Sequence, residues 1–495
     1  MKRDIGLFGK QTYDLLVIGG GINGASIAHL AARSGIRTAL LEKGDFASGT
    51  SSRSTKLIHG GLRYLENFDF ELVYESLRER AVQLKTAPHL VKPLAFLIPV
   101  YRGDRRPLWM MRFGVFLYDL IAGPYRVAPH QSLTKEKVLE LEPGVKREGL
   151  KGGVLYYDAQ MDDARLCLEN VLSAAEAGAH VANYAEATGF LKANGRAEGV
   201  KAVDVLSGAE FEVRAKRIVV AGGPWTNGLL RLDDDHAKKK VRTTKGIHIV
   251  YKDRLSDRAL FIPSASDKRI FFVIPWLGHS LIGTTDTDYV GNPDQAGAEP
   301  EDVDYLMRET KRVFPRLDVS PAKILSTFAG LRPLVRKGGS ANKVSRKHLF
   351  HESPSGIIFV VGGKYTTYRA VAEDCLRRIF KDFRPVKPFT VYGGGMVAEN
   401  AEVIADGCGL EPGIVRSLMD LYGGRYRDVL ALVEKAPSLA EKVSDDPPVI
   451  KAQLAYAVEA EMARKPEDVF MRRLPLGSLG PVPDGLQKTA EQFLI

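Results

Sequence analysis

A glycine-rich turn near the start of this chain limits its possible folds more than any other segment. An apolar run, Leu15–Ile18, leads directly into Gly19-Gly20-Gly21-Ile22-Asn23-Gly24, and a helical pattern follows before a second apolar run ends at Glu42. This order of strand, G-x-G-x-x-G, helix, strand and acid within about thirty residues is typical of dinucleotide binding. Gly19 permits the tight turn, Gly21 lets the backbone approach a pyrophosphate, and Gly24 lets helix and strand pack closely. Glu42 is placed to accept hydrogen bonds from an adenosine ribose. A glycine-rich turn of any α/β protein is the alternative, which the full context disfavours.

Bulk composition limits the class of protein. The chain has 495 residues, of which 45% are hydrophobic and 26% charged, and its formal net charge is +10. This length exceeds a single core, so we expect about two to four domains. No apolar run comes near the roughly 18 residues of a membrane-spanning helix, and we expect no secretory or mitochondrial presequence. The basic excess fits an anionic small substrate or an anionic membrane surface. We find no nucleic-acid motif and expect no nucleic-acid partner.

Two later strand-to-glycine turns extend the opening motif. Ala221-Gly222-Gly223 follows a predicted strand at residues 217–220, and Gly362-Gly363-Lys364 follows residues 357–361. In doubly wound folds, ligands lie across the carboxyl ends of the parallel strands. One long cofactor touching all three turns explains them better than one small ligand, and a flavin dinucleotide, FAD, has that length. Taken singly, each later glycine pair also fits an ordinary βα turn.

The order of predicted elements indicates an α/β and α+β fold. We predict a Rossmann-like FAD-binding domain with an inserted antiparallel-sheet substrate domain and a helical C-terminal domain. The predicted FAD-binding domain is discontinuous and comprises residues 1–90, 145–240 and 351–384. The predicted substrate domain comprises residues 91–144 and 241–350, and the C-terminal domain residues 390–495.

Six motifs, spread in order over residues 13–370, make the resemblance specific. They are the opening turn, residues 50–65 (TSSRSTKLIHGGLRYL), Lys245-Gly246-Ile247-His248, Gly283-Thr284-Thr285-Asp286, Gly330-Leu331-Arg332-Pro333 and residues 363–369 (GKYTTYR). Together they resemble the signature of FAD-dependent glycerol-3-phosphate dehydrogenases. The chain departs from this pattern at Val361, where an aromatic residue is expected, a change that concerns packing more than chemistry.

The resemblance and the glycine turns imply a set of cofactor contacts. The predicted FAD-binding residues are Gly19, Gly21, Ile22, Asn23, Gly24, Glu42, Thr50, Ser51, Ser52, Lys56, Leu57, His59, Gly61, Ala221, Gly222, Trp225, Gly363, Lys364, Tyr365, Thr366 and Thr367.

The implied substrate is sn-glycerol 3-phosphate, a secondary alcohol carrying a phosphate dianion. Its oxidation needs cations for the phosphate, and Arg63, Arg332 and Lys364 stand in glycine-bearing, non-periodic segments. It also needs a proton acceptor, and His248 and His59 are the candidates because imidazole titrates near working pH. His248 is favoured because it projects from the predicted substrate sheet, whereas His59 can instead contact the flavin. Without the resemblance, the simpler interpretation is that these arginines are surface residues and that a histidine in an apolar strand has a structural role. The resemblance further implies Tyr64 in the substrate pocket, and Lys364 can also stabilise negative charge on the reduced flavin.

The electron acceptor is predicted from a basic, aromatic segment. Residues 105–120 form a candidate amphipathic helix in which Trp109, Phe113, Phe116 and Leu120 share a face flanked by Arg105, Arg106 and Arg112. Such a helix can lie in a membrane interface, although a core helix with solvated arginines is the alternative. The family divides between quinone-reducing dehydrogenases and oxidases that use oxygen. We predict a quinone acceptor, because the large insertion associated with the oxidases is missing.

The expected location is the cytoplasm, with peripheral contact on the inner face of the cytoplasmic membrane. Cys167, Cys375 and Cys408 are scattered, which suggests structural thiols and no metal site. Homodimerisation stays open. Two other classes also remain: an oxygen-using flavin oxidase of glycerol 3-phosphate or of an amino or hydroxy acid, and a non-enzymatic flavoprotein.

Overall fold

A six-stranded sheet holds the opening glycine-rich turn. The computed structural model describes residues 1–267, 269–336, 348–387, 391–395 and 397–494. In spatial order, the strands are Leu349–Glu352, Ile358–Val361, Ile218–Val220, Leu15–Ile18, Thr38–Leu41 and His180–Ala182. All neighbours except the first pair are parallel. The central strands are buried on both faces, as continuous apolar runs in a parallel sheet should be.

Helices cover this sheet. Because the strands that precede the three glycine turns are parallel, the turns lie at one edge of it. The helix Ile22–Arg33 buries Ala25, Ala28 and Ala31, whose small side chains allow close packing against the helix Asp163–Glu176. The helix Tyr368–Ile379 packs on the same helix Ile22–Arg33. A four-stranded sheet lies beside this core and consists of Thr12–Tyr13, Glu210–Ala215, Arg196–Asp204 and Ala185–Ala193.

The largest sheet has ten strands among the described residues and is almost entirely antiparallel. Its main path runs Thr287–Tyr289, Val241–Tyr251, His279–Gly283, Ile270–Trp276, Ala259–Pro263, Val91–Tyr101, Leu150–Met161 and Leu57–Ile58, with Ile324–Val335 paired to Val241–Tyr251 and Gln131–Leu133 to Leu150–Met161. One pairing, between Ala259–Pro263 and Val91–Tyr101, is parallel.

One predicted domain boundary differs from the strand pairing. The prediction places residues 145–240 with the FAD-binding part, whereas Leu150–Met161 pairs along its length with Val91–Tyr101 in the ten-stranded sheet. The short strand Leu57–Ile58 also joins this sheet. An apolar run has the same pattern in either sheet, so periodicity could not assign these strands.

The described residues form further α-helices. They are Phe70–Thr86, Leu108–Ala122, Lys135–Leu141, Thr226–Asp233, Pro300–Val313, Ala401–Cys408, Pro412–Tyr422, Tyr426–Lys435, Lys451–Glu459, Pro466–Asp468 and Asp484–Glu491. Within the described ranges, none is long and apolar enough to cross a membrane.

The mainly helical C-terminal part agrees with the predicted fold class. It has its own apolar clusters around Leu418 and Leu454, together with a two-stranded hairpin, Lys442–Asp445 and Pro448–Ile450, that was not predicted. The predicted boundary at residue 390, and residues 337–347 of the predicted substrate domain, lie outside the described residues.

Candidate active site

A cavity of about 950 Å³ opens at the carboxyl ends of the parallel strands. All three glycine turns line it, as the strand order requires. The predicted residues that line it are Gly19, Gly21, Ile22, Asn23, Glu42, Thr50, Ser51, Leu57, His59, Tyr64, Ala221, Gly222, Trp225, His248, Arg332, Gly363, Lys364, Tyr365 and Thr366. The fold therefore brings most of the residues predicted from the sequence to one cavity.

Glycine is required sterically at two positions of the opening turn. The backbone of Gly19 is left-handed, with φ of +107°, and a Cβ there would come within 2.5 Å of the Ala221 carbonyl oxygen. A Cβ on Gly24 would lie 1.8 Å from the Gly19 carbonyl oxygen. Both obstacles are backbone atoms, so no side-chain rotation relieves them. Gly24 thus acts by packing the helix against the turn, without lining the cavity.

The polar groups around this turn suit a dinucleotide. Asn23 Oδ1 is buried at the cavity wall without a hydrogen-bond partner among the described residues. Glu42 accepts hydrogen bonds from the backbone N–H groups of Gly20 (2.6 Å) and Gly44 (2.9 Å). Each of its oxygens keeps a second lone pair that can accept from a ribose hydroxyl. Burial raises the pKa of Glu42. The donor and acceptor set therefore fits FAD.

The sequence predicted Trp225 as part of this cavity wall but not its neighbours Lys43 and Asp294. Trp225 Nε1 donates to Asp294 Oδ1 over 3.0 Å, and Lys43 Nζ pairs with the same oxygen at 2.9 Å. Lys43 Nζ also lies 4.4 Å from the centre of the Trp225 ring. Pro293 and Asp294 come from a 3₁₀ turn of the distant segment Pro293–Gln295. No local pattern marks this turn as part of a binding site.

Five predicted FAD-binding residues do not line the large cavity, and Lys56 is the most informative of them. Its side chain is buried, its Nζ pairs with Asp163 and donates to the Ser52 carbonyl oxygen over 2.8 Å. The side chain therefore turns away from the cofactor cavity. The other four are Gly24, Ser52, Gly61 and Thr367, of which Gly61 lines a second cavity and Thr367 is buried.

The second cavity, of about 410 Å³, adjoins the first. The two share the lining residues Thr55, Leu57, His59, Tyr64 and Arg332. Aromatic side chains form part of its wall, together with an unusual number of arginines. These arginines are Arg63, Arg105, Arg106, Arg269 and Arg332.

Arg332 is held in place by the turn at residues 284–286. Its guanidinium donates to Thr284 Oγ1 (2.8 Å), to the Thr285 carbonyl oxygen (3.3 and 3.2 Å) and to Asp286 Oδ1 (3.1 Å). Arg269 donates to the Asp286 carbonyl oxygen over 2.6 Å from the other side. The sequence motif marked residues 283–286 but left Asp286 without a role; it anchors Arg332.

Lys364 and Tyr64 form a second cationic contact at the junction. Lys364 Nζ lies 3.8 Å from the centre of the Tyr64 ring, a cation–π distance, and 3.4 Å from Ser76 Oγ. Arg63 lines the smaller cavity, Lys364 the larger, and Arg332 both. The three predicted cations therefore line the two adjoining cavities, and Arg332 is common to both.

Both predicted histidines line the large cavity. His248 is buried and stacks on Phe328 with ring centres 4.9 Å apart, and its Nε2 is hydrogen-bonded to Thr55 Oγ1 at 3.0 Å. Burial, reinforced by the charges of Arg332 and Lys56, holds its pKa well below the ordinary value, so the imidazole is neutral. His59 lines both cavities, and its backbone N–H donates to Thr366 Oγ1 over 3.3 Å.

Comparison with known proteins places this site in a family. The FAD dependent oxidoreductase family model matches residues 14–369, and the C-terminal domain of alpha-glycerophosphate oxidase matches residues 386–483. A Synechocystis sp. protein named glycerol-3-phosphate dehydrogenase is 41% identical over 490 residues, covering 94% of this chain and 89% of its own. The aerobic glycerol-3-phosphate dehydrogenase of Staphylococcus aureus is 36% identical over 486 residues, covering 94% and 87%.

A solved structure agrees over nearly the whole chain. The glycerol-3-phosphate dehydrogenase of Bacillus halodurans complexed with FAD superposes with a TM-score of 0.80 at 32% identity, covering 99% of this chain and 92% of that one. The cavity geometry and these matches lead to one assignment. The chain belongs to the FAD-dependent oxidoreductase family, among its glycerol-3-phosphate dehydrogenases, and its cofactor is FAD.

Proposed function

We propose that this protein oxidises sn-glycerol 3-phosphate to dihydroxyacetone phosphate and passes the electrons to a membrane quinone. The observation that carries the proposal is that Arg63, Arg332 and Lys364 line the two adjoining cavities, with Arg332 common to both. Three cations around a small polar space suit a phosphate dianion, since arginine offers paired donors and lysine a point charge. Relatives that carry the name glycerol-3-phosphate dehydrogenase support the same substrate.

The residues of the chain divide the remaining tasks. Bound FAD supplies the hydride acceptor for the substrate C2 hydrogen. We assign His248 as the acceptor of the C2 hydroxyl proton, because it lines the large cavity and is hydrogen-bonded to Thr55, which lines both cavities. A neutral imidazole is the form that can take a proton. Phe328 and Thr55 fix the plane of the ring, and Tyr64, which Lys364 contacts, lines both cavities.

An exposed apolar surface supports peripheral contact with a membrane. On the helix Leu108–Ala122, here called the apolar helix, Trp109 is 67% exposed, Phe113 60% and Leu120 64%. Phe68, on the neighbouring turn, is 78% exposed. The exposed arginines Arg105 and Arg112 add positive charge suited to anionic headgroups. We therefore propose peripheral contact with the inner face of the cytoplasmic membrane.

Vesicle binding tests the membrane contact. The double variant Trp109→Ser/Phe113→Ser should bind anionic phosphatidylglycerol vesicles at least about tenfold more weakly than the wild type, since two apolar side chains no longer enter the interface. Val403→Ser removes an apolar side chain that is 68% exposed on a C-terminal helix and serves as the control. Equal binding of the double variant and the wild type would contradict the proposed surface.

Turnover tests the substrate and the acceptor together. Purified protein with sn-glycerol 3-phosphate should form dihydroxyacetone phosphate and reduce a short-chain quinone without oxygen, while hydrogen peroxide stays low in air. Arg63→Met should raise the KM for glycerol 3-phosphate, whereas Arg254→Met, which removes an exposed arginine paired with Asp257, should not. Rapid peroxide formation with no quinone reduction would assign the protein to the oxidases.

A further inference from the structure

The C-terminal part contacts the FAD-binding part just after the strand Thr38–Leu41. Residues 43–53, here called the cofactor loop, follow Glu42 and line the large cavity with Lys43, Thr50 and Ser51 among others. The side chain of Asp45, on this loop, is fully buried. Its carboxylate faces Arg472 and Arg473 from the C-terminal part.

Asp45 is saturated by donors from distant segments. Arg472 Nε donates to Asp45 Oδ2 over 2.5 Å, Arg473 contacts both oxygens with one bond of 2.8 Å, and Asn183 Nδ2 donates to Oδ1 over 3.0 Å. Burial alone raises the pKa of a carboxyl group, but the two guanidinium groups lower that of Asp45, so it is ionised. A buried carboxylate with these partners fixes its loop, because losing them leaves an uncompensated charge.

Arg472 and Arg473 are themselves rigidly held. Arg472 Nη2 donates to Asp468 Oδ1 over 2.6 Å, and the Tyr184 hydroxyl donates to the same oxygen over 2.7 Å. Arg473 Nη2 also donates to the Glu461 carbonyl oxygen over 2.8 Å. The contact is therefore a network within the protein interior and not a surface ion pair.

The opposite side of the cofactor loop supports the opening glycine turn. The Ala47 N–H donates to the Gly20 carbonyl oxygen over 3.1 Å, and Ser51 Oγ accepts from the Ile22 N–H over 2.9 Å. Phe46 packs so close to Gly20 that a Cβ on Gly20 would lie 2.7 Å from its ring. The loop thus joins the arginine network on one side to the dinucleotide turn on the other.

We propose that Arg472 and Arg473 are positioning residues that retain FAD by holding the cofactor loop against the glycine turn. The C-terminal part then has a role in cofactor binding although neither arginine lines the described cavity. This role concerns FAD and stands apart from the identity of the substrate.

The rate of FAD release from the holoenzyme tests this role. Free flavin fluoresces on dilution, so release is followed directly without turnover. Arg473→Gln and Asp45→Asn should each speed release by about tenfold or more. The double variant should release FAD no faster than the quicker single variant, because Arg473 is proposed to hold the loop through Asp45. Deuterium uptake by residues 43–53 should rise in all three variants.

A matched control separates this contact from general docking of the C-terminal part. Arg425 also joins the two parts, pairing with Glu169 (3.2 Å) and Glu176 (3.0 Å) away from the cofactor loop. Arg425→Gln should leave FAD release within about twofold of the wild type. If Arg473→Gln does not fold, Asp45→Asn and Arg473→Lys carry the test. Release at the wild-type rate in these folded variants, or equal acceleration by Arg425→Gln, would overturn the proposal.

Discussion

Replacing Lys56 with methionine separates a structural role from a cofactor contact. The Lys56 ammonium pairs with Asp163, whose side chain is completely buried. Removing the cation leaves a buried carboxylate, which typically costs about 3–5 kcal/mol. Ser54 Oγ (2.6 Å), the Ser54 N–H (3.1 Å) and the Ala164 N–H (2.8 Å) still donate to it at the start of a helix. These donors favour the lower end, about 3 kcal/mol.

The expected change is a lower melting temperature. A loss of about 3 kcal/mol corresponds to a decrease of roughly 6–12 °C in a domain of ordinary size. Lys56→Met/Asp163→Asn should recover at least half of it, because no buried charge then stays unpaired. Lys92→Met is the control: it breaks an exposed pair with Asp420 and should change the stability by less than about 1 kcal/mol.

Circular dichroism melts of the holoenzyme and of the protein freed of FAD provide the measurement. Comparing both forms removes the stabilisation that bound cofactor adds by mass action. If Lys56→Met melts with the wild type in both forms but binds FAD more weakly, the side chain contacts the cofactor and the structural assignment is wrong.

Three further changes probe other parts of the site and fold. Gly24→Ala should abolish FAD retention, because its Cβ would lie 1.8 Å from the Gly19 carbonyl oxygen. Gly413→Ala, on a C-terminal helix away from the cavity, meets nothing within 4 Å and is the control; wild-type flavin content in purified Gly24→Ala would contradict the steric argument. Burial lowers the pKa of His89 to about 4. The unfolded chain therefore takes up the proton first, so the free energy of unfolding should fall by about 2 kcal/mol from about pH 7 to about pH 5; His89→Leu should flatten this slope in denaturant titrations, and an unchanged slope refutes it. Arg332→Lys keeps the charge but loses the paired donors, so steady-state kinetics should show the KM for glycerol 3-phosphate about tenfold higher or more; an unchanged KM counts against a role in phosphate binding.

The cofactor site was largely predictable because its signals are local. The strand Leu15–Ile18, the glycine turn and the helix Ile22–Arg33 follow one another in the chain. Parallel strands bring the later turns at residues 221–223 and 362–364 to the same edge of the sheet. Steric requirements at Gly19 and Gly24 are visible as residue types. The confirmed fold class rests on the same alternation of elements.

Contacts between distant segments could not be predicted in this way. Lys56 belongs to a motif that suggests cofactor binding, yet its partner Asp163 is 107 residues away. Asp45 meets Arg473 across 428 residues, and nothing in either neighbourhood marks the pair. The role of residues 284–286 in anchoring Arg332 likewise depends on the register of the antiparallel sheet.

The proposed reaction itself is tested most directly by anaerobic flavin reduction in a stopped-flow instrument. The holoenzyme is mixed with sn-glycerol 3-phosphate, or with the same compound deuterated at C2, and the visible flavin absorbance is followed. Hydride transfer from C2 predicts bleaching that is complete within a turnover and slower with deuterium, while glycerol alone leaves the flavin oxidised. Flavin that stays oxidised in the presence of glycerol 3-phosphate would contradict the assignment of substrate and reaction.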